Sequence, residues 1–224
     1  MSDTAWSLGI RITLSLLRPV RTLRLVAPTY ERLRLAQLRR TDPLQWRVEV
    51  ARAMGIRVGR DCRLFSLNVF SEPYLLELGD NVIVSGNVTF VTHDGGVYLL
   101  GIPNVQGHYG RIKIGSNCFI GMGSIFLPNV QLGDNCVVGA GSVVNRSFGD
   151  NCVIMGNPAK MVLSFDMYRA LRRDSPFTVV SEQYADPKPI PPDVKRELLE
   201  RQFADVPWPA PHLSQLDGGS RSAP

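Results

Sequence analysis

The chain has 224 residues, of which 44% are hydrophobic and 8% aromatic, and its formal net charge is +5. This length fits one core-bearing domain with appendages, and the hydrophobic fraction excludes wholesale disorder. No run of about 18 uninterrupted apolar residues is present, which argues against a transmembrane helix.

The positive charge is concentrated near the N-terminus. Residues 1–60 hold 12 of the 25 Lys and Arg residues against 4 of the 20 Asp and Glu residues, a net +8, so the other 164 residues carry −3. A basic leader is not a basic domain, which argues against nucleic acid as a partner. Residues 1–40 are expected either to pack on the assembled protein or to bind an anionic membrane surface.

The first residues carry neither a basic n-region nor a small-residue cleavage site, so we expect no signal peptide. The expected location is the cytoplasm, with peripheral attachment to the inner face of the membrane as one option. There the cysteines would be reduced.

The leader, residues 1–55, is predicted to be helical. Residues 6–17 are ambiguous, because their apolar residues alternate as in a strand but also form a broad helical face. A helix rich in Leu and Arg is predicted over residues 30–40.

A second helix is predicted to begin at Pro43 and run to about Met54. Asp42 is its expected N-cap and Pro43 its first helical residue, and Gln45 is expected to bond back to the cap. Gly55 is the predicted stop.

A repeat follows the leader. Segments of the form apolar-Gly-polar-Asn-apolar begin at Leu78, Ile114, Leu132 and Phe148, and a looser copy begins at Val58. Within a unit the apolar residue recurs every six positions, as in Leu78, Val84 and Phe90. A short strand followed by a tight Gly bend fits this period, and three such units close one triangular coil. Stacked coils place parallel strands roughly 4.8 Å apart, so the sequence predicts a mainly β, parallel β-helix over residues 56–162.

The four cysteines occupy one repeat position. They are Cys62, Cys118, Cys136 and Cys152. We expect them to stack inside the coils as small apolar groups rather than to serve in redox chemistry or metal binding, and no C-x-x-C pair is present.

The repeat is interrupted between Asp94 and Lys113 by a loop, residues 95–112, that contains several glycines and a proline. A long loop leaving a regular scaffold is usually functional or mobile. Its hydrogen-bonding and aromatic residues are of the kind that contact a sugar; they are Tyr98, Asn104, His108, Tyr109 and Arg111. Beyond the repeat, residues 163–224 are predicted to form helices at 163–173 and 192–204 and a disordered tail over the last 18 residues.

Three segments, 115–124, 139–144 and 156–162, resemble the hexapeptide-repeat acyltransferases, and the Thr92-His93-Asp94 triplet adds to the likeness. The resemblance covers residues 55–165 and is closest to the branch of sugar and polysaccharide O-acetyltransferases. It implies a left-handed parallel β-helix that assembles as a homotrimer. It also implies that acetyl-CoA binds in clefts between neighbouring subunits and that no metal takes part.

Acyl transfer to a hydroxyl needs a general base, and imidazole suits that role near neutral pH. His93 stands where the loop leaves the repeat, whereas His108 lies in the loop and His212 in the Pro-rich tail. The resemblance places the catalytic histidine at His93. Glu72, one coil earlier, is either the carboxylate that holds the imidazole or part of a solvated bend; Asp94 points to the opposite face and is a poor partner.

The resemblance assigns further residues to the two substrates. Asn87 matches a position that assists acceptor binding, with a structural turn as the alternative. The expected donor site comprises Met122, Gly123, Ala140, Asn145, Arg146 and Lys160, with the Met122 N–H facing the thioester oxyanion and the two cations binding phosphates.

The sequence therefore predicts an acetyl-CoA-dependent O-acyltransferase acting on a sugar, polysaccharide or glycolipid hydroxyl by direct transfer in a ternary complex. One alternative is an N-acyltransferase acting on a nucleotide-linked amino sugar or an antibiotic. A second is a non-catalytic β-helix scaffold. A metal hydratase of the same fold is disfavoured, because it needs three histidine ligands.

Overall fold

The computed structural model describes residues 27–69, 71–175, 178–179 and 191–204. The predictions for residues 6–17 and for the last 18 residues lie outside this part, as do residues 1–26 of the basic leader. No helix among the described residues combines the length and apolarity that a membrane crossing requires. The chain divides into two compact units, Met1–Tyr168 and Arg169–Pro224.

Two helices precede the sheets, α1 (Ala27–Thr41) and α2 (Pro43–Ala53). Asp42 caps α2 as predicted, since its Oδ1 accepts a 3.0 Å hydrogen bond from the N–H of Gln45. The predicted reciprocal bond from Gln45 is wrong. The Asp42 N–H already donates to the carbonyl of Leu38 at 2.8 Å, so the Gln45 side chain donates to Glu49 instead, at 3.1 Å.

The end of α2 lies where the sequence predicts it. Gly55 has a φ of +96°, its N–H donates to the Arg52 carbonyl, and the Ile56 N–H donates to the Ala51 carbonyl. This is the Schellman arrangement, in which a left-handed glycine satisfies the last carbonyls of a helix. Ala51 is buried in the same cluster as the first repeat strands, so α2 covers one end of the coils.

Apart from a two-stranded hairpin in the loop, the strands of residues 57–164 form three sheets, to which the chain contributes strands in turn. Sheet A contains β1 (Arg57–Val58), β4 (Leu76–Leu78), β9 (Ile112–Ile114) and β12 (Gln131–Leu132). Sheet B contains β2 (Arg63–Leu64), β5 (Ile83–Val84), β10 (Phe119–Ile120), β13 (Val137–Val138), β15 (Cys152–Met155) and β16 (Lys160–Ser164). Sheet C contains β3 (Asn68–Val69), β6 (Thr89–Phe90), β11 (Ile125–Phe126) and β14 (Val143–Val144). We call the bends that follow sheets A, B and C the first, second and third corners.

The strands within each sheet are parallel and in register, apart from the antiparallel pair of β15 and β16. Ile120, for example, pairs with Val84 on one side and Val138 on the other. The apolar residues of the six-residue units are buried, except that Val58, Val69 and Phe148 in the first and last coils are partly buried. The rings of Phe90 and Phe126 stack with centroids 5.2 Å apart. The predicted parallel β-helix of stacked coils is therefore confirmed.

Glycines form a column at the first corner, with one on each coil: Gly59, Gly79, Gly115, Gly133 and Gly149. A Cβ on Gly115 would lie 2.4 Å from Asp134 Oδ1 and 2.6 Å from the backbone of Gly133. Gly149, at the end of the column, has nothing within 4 Å of the same position. The coils thus stack too closely for any side chain here, except on the last one.

The cysteines stack as the repeat position predicts. All four are free and buried. The Cys118 thiol donates to the carbonyl of Gly133 at 3.2 Å, and the sulfurs of Cys136 and Cys152 lie 3.4 Å apart. Burial raises the pKa of Cys62 and raises that of Cys152 to about 12. These two thiols are therefore protonated near neutral pH, as expected of interior packing groups.

The loop departs at the third corner. The strand β7 (His93–Asp94) precedes it, and it contains a 3-10 helix (Gly95–Leu100) and β8 (His108–Tyr109), which pairs antiparallel with β7. Asp94 caps the 3-10 helix by accepting from the N–H of Gly96 at 2.8 Å. The Gly110 N–H donates to the Thr92 carbonyl at 2.8 Å, so the loop ends beside the point where it began.

Two helices follow the sheets, α3 (Phe165–Arg173) and α4 (Pro192–Phe203). They fall on the segments for which the sequence predicts helices. α3 begins against the last coil, where the Phe165 N–H donates to the Asn151 carbonyl at 3.0 Å.

Candidate active site

His93 and Glu72 meet at the third corner. Glu72 belongs to the preceding coil, directly before a 3-10 helix (Pro73–Leu75), and its Oε2 lies 2.9 Å from Nδ1 of His93. The Glu72 side chain is 10% exposed, whereas that of His93 is 38% exposed. One side of the imidazole is therefore held in the protein while the other reaches solvent. The solvated bend that the sequence left open for Glu72 is wrong.

The environment of Glu72 keeps its carboxylate charged. Burial raises the pKa of Glu72, but hydrogen bonds from Thr92, His93 and Ser71 lower it by more, so the net pKa lies below the ordinary glutamate value. A group of this kind remains ionised at any pH above about 4.3. Thr92 and Ser71 are partners that the sequence analysis did not assign. Their signal was weak, since it consists of adjacency to His93 and to Glu72.

The arrangement can supply a general base. A carboxylate that accepts the Nδ1–H proton fixes the imidazole in one tautomer, which leaves the lone pair on Nε2 available. Because Nε2 lies on the other edge of the ring, the base would act from the side of the imidazole opposite Glu72.

We expect Glu72→Gln to change the acid stability of the protein. A carboxylate with a lowered folded-state pKa stabilises the fold above its unfolded pKa of about 4.3, and this contribution is lost as pH falls through the folded value. The wild-type protein should therefore exceed the variant in unfolding free energy at pH 7 and lose that advantage as pH falls below the ordinary glutamate pKa of about 4.3 and through the lower folded-state value. Urea unfolding between pH 3 and pH 7 measures the difference. Glu77→Gln, on the outer face of sheet A, is the control for loss of a carboxylate elsewhere; an identical profile would contradict the assignment.

The loop brings Tyr109 near His93, and Tyr98 shares a hydrogen-bond acceptor with Tyr109. Tyr109 pairs with His93 across the hairpin, and their ring centroids are 6.2 Å apart. The hydroxyls of Tyr98 and Tyr109 both donate to the Gln106 carbonyl, at 2.8 and 2.9 Å. His108 pairs with Asp94, and because strand side chains alternate, it lies on the opposite face of the hairpin from His93.

The predicted residues around the thioester lie at the second corner. Gly123 donates its N–H to the carbonyl of Gly86 at 3.0 Å, and Gly141 donates to the carbonyl of Met122 at 2.8 Å. The Met122 side chain is 60% exposed. Ala140 precedes Gly141 in this stack.

Asn87 also lies at the second corner, where its φ of +57° is left-handed. The β6 strand separates it from His93 within one chain. The structure therefore collects Asn87 and Met122 at one corner and His93 with Glu72 at another.

The predicted phosphate-binding residues are exposed. The Arg146 guanidinium lies 5.2 Å from the ring centroid of Phe148, a cation–π contact that orients it, and Asn145 precedes it at the third corner. Lys160 begins β16 and pairs with Met155 at the far end of sheet B. The two cations thus occupy different edges of the last coils.

A cleft of about 400 Å³ lies beside the third corner on the outer side of sheet A. Its lining carries more positive than negative charge, from Arg57, Arg111 and Lys113 against Glu77. Arg111 directly follows Gly110, which bonds to Thr92, so the cleft begins next to the site of His93.

Comparisons with known proteins agree with this architecture. Residues 111–146 match the family described as bacterial transferase hexapeptide, six repeats. Protein CapG of Staphylococcus aureus is 48% identical over 122 residues, which are 52% of this chain and 70% of CapG. A Dictyostelium discoideum protein provisionally named an acetyltransferase is 67% identical over 51 residues, 23% of this chain and 27% of that protein.

Among solved structures, a maltose O-acetyltransferase from Clostridium difficile 630 is 27% identical, with a TM-score of 0.41 over 64% of this chain and 90% of its own. The family match rests on the repeat itself and on the CapG alignment, which covers more than two thirds of that relative. The chain belongs to the hexapeptide-repeat acyltransferases.

Proposed function

We propose that the protein transfers an acetyl group from acetyl-CoA to a hydroxyl of a sugar or of a polysaccharide or glycolipid precursor. The observation that supports this most is the 2.9 Å contact between His93 Nδ1 and the buried Glu72 carboxylate, beside a loop that carries two tyrosines. Aromatic faces and hydrogen-bonding groups of this kind suit a saccharide.

The proposed reaction is a direct transfer. Nε2 of His93 takes the proton of the acceptor hydroxyl while its oxygen attacks the thioester carbonyl carbon. The carbon–sulfur bond then breaks, and the departing thiolate takes the proton from the imidazolium. The products are the acetyl ester and free coenzyme A, and no covalent intermediate with the enzyme forms.

A complete site in this mechanism needs both corners. Asn87 and Met122 lie at the second corner and His93 at the third, on opposite sides of sheet C. We propose that the chain coils left-handed and assembles as a homotrimer, with the second corner of one subunit facing the third corner of the next. The name of the Dictyostelium relative supports an acetyl donor.

The test is an assay of coenzyme A release with acetyl-CoA and a panel of sugars, lipid-linked glycans and amino sugars, followed by the mass of the product. We expect hydroxyl acceptors to gain 42 mass units, the increment for one acetyl group, only in the presence of enzyme. Transfer to amines alone would favour the N-acyltransferase alternative. No thiol release with any acceptor, together with no thermal shift from acetyl-CoA, would leave the scaffold alternative.

Substitution of either of the two predicted phosphate-binding cations should weaken the binding of acetyl-CoA. We expect Arg146→Gln and Lys160→Gln each to raise KM for acetyl-CoA by on the order of 10-fold, since a charge-assisted bond to phosphate contributes about 1.5–3 kcal/mol. The KM for the acceptor should be unchanged. Arg60→Gln, which removes an exposed arginine paired with Asp80 at the first corner, is the matched control. An effect on the acceptor KM instead would contradict the assignment.

A further inference from the structure

We infer that Thr92 is a positioning residue for His93: its hydroxyl fixes the Glu72 carboxylate, and the carboxylate then fixes the imidazole. This inference rests on the proposed role of His93 as base. Thr92 itself does not reach a substrate, because it is 1% exposed.

The geometry is a convergence of two donors on one atom. Thr92 Oγ1 donates to Glu72 Oε2 at 2.8 Å, and His93 Nδ1 lies 2.9 Å from the same oxygen. Both contacts are of ordinary hydrogen-bond length, and a carboxylate oxygen can accept two donors. Because the hydroxyl needs no particular pH to donate, it holds Oε2 in place whatever the protonation of the imidazole.

Thr92 also connects the pair of His93 and Glu72 to the loop. Its carbonyl accepts the N–H of Gly110 at 2.8 Å, where the chain returns from the hairpin. The preceding residue, Tyr109, is the one that pairs with His93. One residue therefore holds the carboxylate through its side chain and the end of the loop through its backbone.

Loss of the hydroxyl would leave the carboxylate less constrained. Glu72 would then be able to rotate away from the position in which Oε2 meets Nδ1, and the imidazole would sample both tautomers. Misplacement of a catalytic group by about 1 Å costs on the order of 100-fold in rate, so a positioning effect of 10- to 100-fold is the scale expected.

The experiment compares Thr92→Val, which keeps the shape and removes the hydroxyl, with Thr92→Ser, which keeps the hydroxyl. Thr41→Val, on the exposed end of α1, is the matched control. Each full-length variant is assayed for kcat and for KM of acetyl-CoA, and ¹⁵N chemical shifts of the His93 imidazole report its tautomer. Thermal unfolding shows whether each variant folds, and Thr92→Ala is a second hydroxyl-free variant in case the valine variant does not.

We expect the valine variant to lose roughly 10- to 100-fold in kcat with KM for acetyl-CoA changed by less than about 2-fold, because transition-state geometry and not donor binding is affected. The serine variant should recover most of the rate. The wild-type imidazole should show the single tautomer protonated on Nδ1, and the valine variant a mixture. These shifts are measured without substrate, so they test the positioning role separately from the reaction.

The inference is overturned if the hydroxyl-free variants keep wild-type kcat and tautomer, or if serine fails to restore the rate. A wild-type imidazole protonated on Nε2 would overturn it as well. By contrast, a fixed Nδ1–H tautomer in a protein that transfers no acetyl group would contradict the proposed function and would still support the positioning role of Thr92.

Discussion

Replacement of His93 by alanine is expected to lower kcat by on the order of 10²- to 10⁴-fold, the range that a positioned general base contributes. The imidazole reaches solvent on one side, and its hydrogen bond to the buried Glu72 carboxylate lies outside the cluster of buried apolar residues. Removal of the ring should therefore leave the buried coils unchanged. Coenzyme A release with a productive acceptor measures the loss, and thermal unfolding verifies the fold.

His212→Ala is the matched control, since it removes the histidine that lies farthest along the chain from the repeat. The control should retain the wild-type rate. KM for acetyl-CoA should also stay near its wild-type value in His93→Ala, because the proposed donor contacts lie elsewhere. Substantial turnover in His93→Ala would remove this residue as the base and would require another group to take the hydroxyl proton.

Alanine at Gly115 should destabilise the protein more than any surface substitution. The added Cβ would meet the Asp134 carboxylate, which is held by a 2.6 Å hydrogen bond from the Ser116 N–H, and the Gly133 backbone at 2.6 Å. Stacked coils would have to separate to admit it, so the strands above and below would lose register. Overpacking of this kind costs about 1–3 kcal/mol, which we expect as a lower unfolding free energy in urea.

Gly149→Ala is the control at the same position of the repeat. It has open space where the Cβ would stand, and its φ lies outside the left-handed region. A glycine-to-alanine change at a compatible site stabilises a protein by about 0.4–1 kcal/mol through the unfolded chain. Equal effects of the two substitutions would show that coil spacing at the first corner is not set by these glycines.

The sequence was sufficient for the coils because the repeat is a steric requirement. Every coil needs an inward apolar residue, a glycine at the close approach and a small residue at the corner. These residue types, for example Leu78, Gly115 and Cys118, therefore make the repeat visible in the sequence. The cap of α2 is equally local. The predicted reciprocal bond from Gln45 does not form, because the Asp42 N–H donates to the carbonyl of Leu38 in the preceding helix. No pattern around Gln45 indicates that contact.

The candidate site was harder to predict because its contacts connect different coils. The spacing between Glu72 and His93 places both at one corner, but whether a corner side chain points inward or to solvent depends on its neighbours. Here the hydrogen bond from the Thr92 hydroxyl holds the Glu72 side chain in its buried position. The pairing of His93 with Tyr109 was not predictable either, since the glycine-rich loop shows no strand alternation.

Because the loop returns to its own starting point, a change in the loop need not change the coils. The coils before and after the loop stack in register, since β4 pairs with β9 and places Leu76 opposite Ile112 and Leu78 opposite Ile114. Lengthening a loop whose ends are already fixed costs little, about 0.6 kcal/mol per doubling of its length. The segment between Asp94 and His108 can therefore be exchanged or extended without disturbing the stacked coils, so in the proposed function a change of acceptor would leave the contact between His93 and Glu72 unchanged.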